Sequence, residues 1–327
     1  MESKRNLTSI QTMAYTEVDP KAAAAILKSA GCAPLSAVES ISGGWANSNY
    51  LLELEDGSRL VLKIWDERSP KEVNRLNSHL ELIASHGVPT PVPLLLEGGS
   101  RMVEVDGRAW MLLPFIDAPW LAGDRSSMRH LGQMMARLHS IPDDGTFISE
   151  YMMGTDVWPE LFEKAEAENS WSPFLRELES ELARLPKVFP AELPRGMIHG
   201  DLFQDNVLAS GGEVKAVLDF EDVCINVLAI DLVVAFIGCG WEDGVPVEER
   251  WTALLEGYES VRQLSENERA ALPELYYYAT LSVAAWRYRK FRMEVIGTEH
   301  SDRYKLMTER LDIPLPFLGY QPRGGAR

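Results

Sequence analysis

Between Met197 and Phe220 the chain reads M-I-H-G-D-L-F-Q-D-N-V-L-A-S-G-G-E-V-K-A-V-L-D-F. Two short apolar segments, Met197-Ile198 and Val214 to Leu218, each run into an acid, and an asparagine stands between the two acids. Carboxylate, amide and carboxylate at Asp201, Asn206 and Asp219 are the set a phosphoryl-transfer site needs. One group orients and deprotonates an attacking hydroxyl, and two oxygen ligands hold magnesium on a triphosphate. Whatever fold the chain adopts has to bring these three side chains together.

An acid followed by an asparagine at this spacing is common by itself. It gains weight from His199-Gly200 just upstream, from the apolar run ending in Asp219-Phe220, and from features in an earlier, strand-rich region. There, Ser42-Gly43-Gly44-Trp45 interrupts two strand-like segments, Ala37 to Ile41 and Tyr50 to Leu54, and Asp56-Gly57 turns the chain into Arg59 to Trp65. Amides around Gly43 and Gly44 can approach a phosphate, although the same residues suit any hairpin tip. Lys63 sits alone inside the apolar run Leu60 to Trp65, a costly position unless its ammonium meets an anion. It is a candidate for a nucleotide's inner phosphates, the alternative being a lysine that snorkels from an edge strand.

Ser69-Pro70-Lys71-Glu72 reads as a capping box opening a helix to about Ser85, with Val73, Leu76, Leu80 and Ile83 on one face. Glu72 falls near that inward stripe and Glu81 farther toward solvent, so Glu72 is the expected partner of Lys63. Return of Glu72 to its own helix terminus is the competing role. Gly87 to Pro93 is extended because each proline removes the preceding residue from the helical region. Strands are expected at Leu94 to Glu97, Met102 to Val105 and Ala109 to Leu113, with Pro114 breaking the sheet. Beyond it the pattern turns helical: Met128 to His139, Trp171 to Leu185, Val247 to Val261, a capping box at Ser265-Glu266-Asn267-Glu268, and Ser301 to Leu311. The shift places a domain boundary at Leu112 to Ile116, giving domains 1–114 and 115–327.

Composition limits the partners. The 327 residues are 46% hydrophobic and 25% charged, an ordinary globular balance. A net charge of -17 repels nucleic-acid backbones and permits a cationic or zwitterionic substrate. No run approaches membrane-spanning length. Cys32, Cys224 and Cys239 match no paired zinc spacing, so a reduced, cytoplasmic protein is expected. His199 is expected to pack beneath the loop and hold backbone, and Asp231 either braces the loops or caps a helix.

H-G-D-L-F-Q-D-N-V-L followed by V-L-D-F-E-D resembles the catalytic loop and metal-binding segment of the aminoglycoside phosphotransferase and choline kinase superfamily, with Glu221 where protein kinases carry the glycine of D-F-G. Leu131-Gly132 through Ala136-Arg137-Leu138-His139 resembles its first large-lobe helix, and Asp231 follows Asp219 too closely for a protein kinase's activation segment. Within the superfamily the chain is most similar to type II homoserine kinases. The similarity runs through Asn47-Ser48-Asn49-Tyr50, Gly87-Val88-Pro89-Thr90-Pro91, Asp201 to Val207, and Gly257-Tyr258 to Pro273, and covers about residues 35 to 290. His199-Gly200-Asp201 departs from the H-A-D common in that group, and Glu221-Asp222-Val223-Cys224 departs from its usual aromatic after D-F.

The resemblance implies an α+β, protein-kinase-like, two-lobed fold, with an N-terminal antiparallel sheet and one main helix ahead of a larger, mainly helical lobe. It implies ATP and Mg2+, with Lys63, oriented by Glu72, on the inner phosphates, amides at Gly43 and Gly44 covering them, and Leu112, Leu113 and Pro114 lining the adenine site. Asp201 would be the base, and Asn206 and Asp219 the metal ligands. The acceptor would be a hydroxyl on a small amino acid or amino alcohol, homoserine first. An aminoglycoside, choline, hydroxylysine or sugar kinase, or a nucleotide-binding regulator without transfer activity, stand as alternatives. Glu221 and Asp222 are placed to meet a substrate ammonium, and Arg287, Arg289 and Arg292 are candidates for a carboxylate.

Overall fold

The computed structural model describes residues 16–41, 47–188, 192–294 and 300–323. The chain divides into two units, one made of residues up to Ser85 with Thr90–Asp117, the other of His86–Pro89 with Ala118 onward. The division falls at Asp117 instead of Pro114 because Pro114 is still a rung of the sheet, opposite Leu60. A proline is tolerated at a strand's end, where one missing donor costs little.

In the first unit, helix α1 (Pro20–Ser29) starts where the Asp19 side chain accepts the Lys21 amide. Its Ala23, Ile26 and Leu27 pack with Leu52, Leu62, Trp110 and Leu112 of the sheet. The strands are β1 (Leu35–Ser40), β2 (Asn47–Leu54), β3 (Arg59–Trp65), β4 (Val103–Val105) and β5 (Arg108–Pro114), with α2 (Pro70–Ser85) between β3 and β4. The sheet order is β1-β2-β3-β5-β4 and every pairing is antiparallel. β3 is therefore central, which removes the edge-strand reading of Lys63. The expected strand at Leu94 to Glu97 is not formed. Leu94 N–H donates to Leu112 O, but Leu96 N–H turns back to Ser100 O, and Gly98 and Gly99 both take positive φ in that turn.

The second unit carries α3 (Arg125–His139), α4 (Trp158–Ala167), α5 (Pro173–Val188), the short strands β6 (Arg195–Ile198), β7 (Val207–Ser210), β8 (Glu213–Val217) and β9 (Cys224–Val227), then α6 (Ala229–Cys239), α7 (Glu248–Glu259) and α8 (Glu266–Tyr288). Ser265 and Glu268 form the expected capping box at the start of α8. α6 is apolar on nearly every side and buried throughout its first two turns, as an all-round apolar helix must be. No helix among the described residues is long and apolar enough to cross a membrane.

Helices α3 and α7 meet backbone to backbone. A Cβ added at Gly132 would collide with the Leu254 carbonyl, and one at Gly257 with the Arg129 carbonyl. Neither obstacle is a flexible side chain, so the helices could accept a methyl only by moving apart. Gly257→Ala is expected to lower stability by about 3 kcal/mol, the upper end of the usual overpacking cost. Differential scanning calorimetry checks this, and an unchanged melting temperature would show that the crossing opens freely.

Candidate active site

The three residues singled out at 201, 206 and 219 are brought together by two nested antiparallel pairs. The inner pair, β7 with β8, sets Val207 opposite Val217, so Asn206 lies beside Leu218, whose N–H donates to Asn206 O at 2.8 Å. The outer pair, β6 with β9, sets Ile198 opposite Cys224, so His199 and Gly200 lie across from Asp222 and Val223. The loops 199–206 and 218–223 are thus held between the two pairs. β9 was not evident in the sequence: Cys224-Ile225-Asn226-Val227 is short and follows directly on a turn.

Within this frame Asn206 Nδ2 donates to Asp201 Oδ2 at 2.9 Å and to the Asp201 carbonyl at 2.8 Å. The amide nitrogen fixes the carboxylate, which leaves the amide oxygen as the group Asn206 can offer a cation. Asp219 takes a left-handed backbone conformation, φ 60° and ψ 56°, unusual for a residue with a side chain and able to redirect the chain sharply from β8 into the turn Phe220–Asp222. The Asp201 carboxyl is pushed well above the usual carboxylate range, first by burial and then by repulsion from Asp222, Asp219, Asp205 and Glu221. A hard divalent cation, which takes oxygen ligands, would relieve that repulsion, although among the described residues no three acids, histidines or cysteines are grouped as a ready-made metal site.

His199 holds backbone. Its Nε2 donates to Leu218 O at 2.8 Å and its Nδ1 accepts the Asp201 N–H at 3.2 Å, tying the two loops across one ring. Asp231, buried in the first turn of α6, does more than cap a helix. Its Oδ2 accepts the His199 N–H at 2.7 Å and its Oδ1 accepts the Gly200 N–H at 2.8 Å. Oδ2 also lies 3.1 Å from His139 Nε2, while His139 Nδ1 lies 2.8 Å from the Tyr258 hydroxyl. Arg262 donates to Tyr258 Oη and to Glu268 Oε1, each at 2.9 Å. Donor follows acceptor from Arg262 through Tyr258 and His139 to Asp231, so each member is satisfied and the carboxylate is fixed from behind.

Gly200, which replaces the alanine expected from the resemblance, has φ +84°. A Cβ there would lie 2.9 Å from the Tyr151 ring, and the Tyr151 hydroxyl donates to Gly200 O at 2.7 Å. The glycine and the tyrosine are fitted to one another. Tyr151 and Arg262 were not singled out in the sequence, and Tyr258 and Glu268 were read only as a late-helix residue and a capping-box residue. Tyr151 lies outside regular secondary structure with no local motif, and only the glycine itself hinted that something packs there.

In the first unit, Lys63 is buried in the middle of β3 with Nζ 4.1 Å from the centroid of the Trp65 ring. Glu72 does not orient it. Its Oε2 accepts the Ser69 N–H at 2.9 Å and the Ser69 hydroxyl at 2.6 Å, because a glutamate at the third helical position is best placed to return to its own N-cap. Those bonds also hold its pKa below the usual range. Glu81, the other candidate, pairs with Arg101. Leu112 is fully buried, whereas Leu113 and Pro114 are partly exposed at the end of β5. Gly43 and Gly44 lie outside the described residues.

Of the substrate candidates, Glu221 and Asp222 occupy the turn after Asp219, and Asp222 O lies 3.3 Å from the position of a Cβ on Gly200. Arg289 lies 3.3 Å from Glu294 and lines a small cavity with Trp158, Ser282 and Trp286. Arg292 stands near Asp302 at 3.9 Å. Arg287 lies on the last turn of α8, where burial and the charges of Arg303 and Arg310 bring its pKa down to about 10.

A model of the phosphotransferase enzyme family matches residues 37–264. The homoserine kinase of Rhizobium johnstonii is 33% identical over 246 residues, 74% of this chain and 76% of that one. The homoserine kinase of Agrobacterium fabrum is 32% identical over 268 residues, 80% of this chain and 82% of that one. Among solved structures, an amicoumacin kinase in complex with AMP-PNP and Ca2+ superposes with a TM-score of 0.63 at 17% identity, over 83% of this chain and 87% of that one. The protein thus has the two-part kinase-like fold, with an antiparallel sheet in the N-terminal unit and a mainly helical remainder.

Replacing Asp231 by Asn retains the shape but presents an amide nitrogen to one of the two loop N–H groups. Each charge-assisted bond lost is worth roughly 1.5–3 kcal/mol. Hydrogen exchange of the segment 197–206 is therefore expected to quicken by about tenfold or more in Asp231→Asn. Unchanged exchange there would mean the loop is held by something else.

Proposed function

We propose that this chain, which belongs to the phosphotransferase enzyme family, is an ATP-dependent kinase that phosphorylates the hydroxyl of a small amino acid, homoserine first. The observation that carries the reading is the hold of Asn206 on Asp201 inside the nested pairs, with Asp219 entering from the facing loop. The acceptor is supported by two relatives named for homoserine, aligned over 74% and 80% of this chain.

In this mechanism Asp201 accepts the acceptor hydroxyl's proton through the oxygen Asn206 does not hold, aiming the hydroxyl at the terminal phosphorus of ATP. Asn206 Oδ1 and the Asp219 carboxylate are the ligands for a divalent cation, Mg2+ in this reading. Bound there, it would screen the phosphate charge and lower the repulsion around Asp201. Lys63, buried on the central strand β3, pairs with the inner phosphates in this reading. Leu112, Leu113 and Pro114 offer an apolar strand end to the adenine, and amides around Gly43 and Gly44 cover the phosphates. Glu221 and Asp222 meet the acceptor's ammonium. The three cysteines are unpaired, which fits a reducing, cytoplasmic setting.

Asp201→Asn is expected to lose turnover by several orders of magnitude while keeping ATP affinity, because the amide accepts no proton but preserves the shape. Near-normal transfer by that variant would sink the assignment of the base. Chelation by EDTA is expected to abolish transfer, with Mg2+ restoring it. ADP release measured across homoserine, an aminoglycoside, choline, hydroxylysine and a sugar tests the acceptor. Turnover on one of the others with none on homoserine would overturn that choice.

A further inference from the structure

Strand pairs open from their ends, and the pair that carries Lys63 has an end close to it. Lys63 stands opposite Asn49, and the last rung, Asn47 opposite Trp65, is only two residues farther along β3. The next residue is Asp66. Its side chain is only 7% exposed, and nothing in the kinase reading above uses it.

Three segments distant in the sequence meet on this carboxylate. The Ser48 hydroxyl donates to Oδ2 at 2.7 Å, and the Thr16 hydroxyl donates to Oδ1. Arg108 Nε, at the start of β5, lies 3.2 Å from Oδ1. Thr16 is bound through its backbone as well. Its N–H donates to Ser48 Oγ at 3.0 Å, and its carbonyl accepts the Tyr50 hydroxyl at 2.7 Å. Thr16 precedes α1 and belongs to no helix or strand, so these bonds are its attachment to the sheet. It also lies ahead of residues 37–264, the part of the chain that the family model matches.

The cluster is placed to act on the strand and not on the ammonium. Ser48 and Asn49 are consecutive in β2, so their side chains leave opposite faces of the sheet, and Lys63 shares the face of Asn49. Ser48 stands opposite Ile64, which belongs to the same core as Ala23, Ile26 and Leu27 of α1. A carboxylate this enclosed is costly unless its partners stay in place. Those partners come from the start of β2, the start of β5 and the segment before α1, and together they close the end of the sheet at which β2 begins.

We propose that Asp66 is a positioning residue for ATP: with Thr16 and Ser48 it clamps the open end of the β2–β3 pair and so keeps Lys63 in place for the phosphates. The proposal rests on the kinase reading given above, in which Lys63 meets the inner phosphates. It gives the segment ahead of α1 a part in nucleotide binding.

The test is ATP binding at equilibrium, measured by calorimetry on the intact chain without any acceptor. Asp66→Asn keeps the shape but exchanges one accepting oxygen for a donor, and its ATP affinity is expected to fall about tenfold. Its kcat at saturating ATP should change by less than about twofold, because the groups at 201, 206 and 219 are untouched. Thr16→Val, which removes one donor to the clamp, should weaken ATP roughly fivefold, and Thr16→Ser, which keeps the hydroxyl, should restore the affinity. Because both residues act through one clamp, adding Thr16→Val to Asp66→Asn should cost less than about twofold more. Melting temperatures report folding, and the two Thr16 variants carry the test if Asp66→Asn is unstable. ATP affinity within about twofold of the wild type in the folded variants, losses that add fully in the double variant, or a loss confined to kcat would each overturn the proposal. A wild type that binds no ATP would overturn the kinase reading itself, whereas ATP binding by the wild type that the variants match would overturn only the clamp.

Discussion

One buried carboxylate holds the catalytic loop in place. Asp231 accepts the two consecutive backbone N–H groups of His199 and Gly200, one on each oxygen. Those amides could not go unpaired in an apolar setting, and no strand partner is available where β6 has ended. The residue is set in a helix that is apolar on nearly every side, so its charge has value only through the bonds it accepts. The arrangement behind it explains why so many polar side chains are enclosed here. His139, Tyr258, Arg262 and Glu268 each satisfy the next, and the Gly132–Gly257 crossing brings α3 and α7 close enough for His139 to reach Tyr258. The fold of the helical unit and the geometry around the Asp201 carboxylate are therefore one problem.

The same region concentrates unfavourable features. Asp219 sits in a left-handed conformation, Gly200 is pressed against Tyr151, and several acids crowd Asp201. None of these improves stability. They are tolerated because the two strand pairs and the Asp231 bonds fix the backbone on either side. Repulsion among the acids would be relieved by a cation, whether a metal or an ammonium.

Much of this was legible in the sequence where the information is local. Asp201, Asn206 and Asp219 lie within one short stretch, and the two apolar runs that end in acids are the strands that join them. The helices, the capping box at Ser265 and the central strand bearing Lys63 follow from periodicity and turn residues. Where two physical roles share a residue, the sequence was ambiguous. Glu72 lies both on the inward side of α2 and at the third position of a capping box, and the shorter reach prevailed. Contacts between distant segments were not legible at all. Nothing near Tyr151 announces Gly200.

The nested strand pairs carry a further consequence. Because Asp201, Asn206 and Asp219 belong to a single continuous segment, their mutual positions are set by pairings between near neighbours, while Asp231 on α6 anchors the segment to the helices. Such near-neighbour pairings close short loops, so bringing Asp201, Asn206 and Asp219 together costs little chain entropy, and the segment asks of the remaining helices only the anchoring bonds of Asp231.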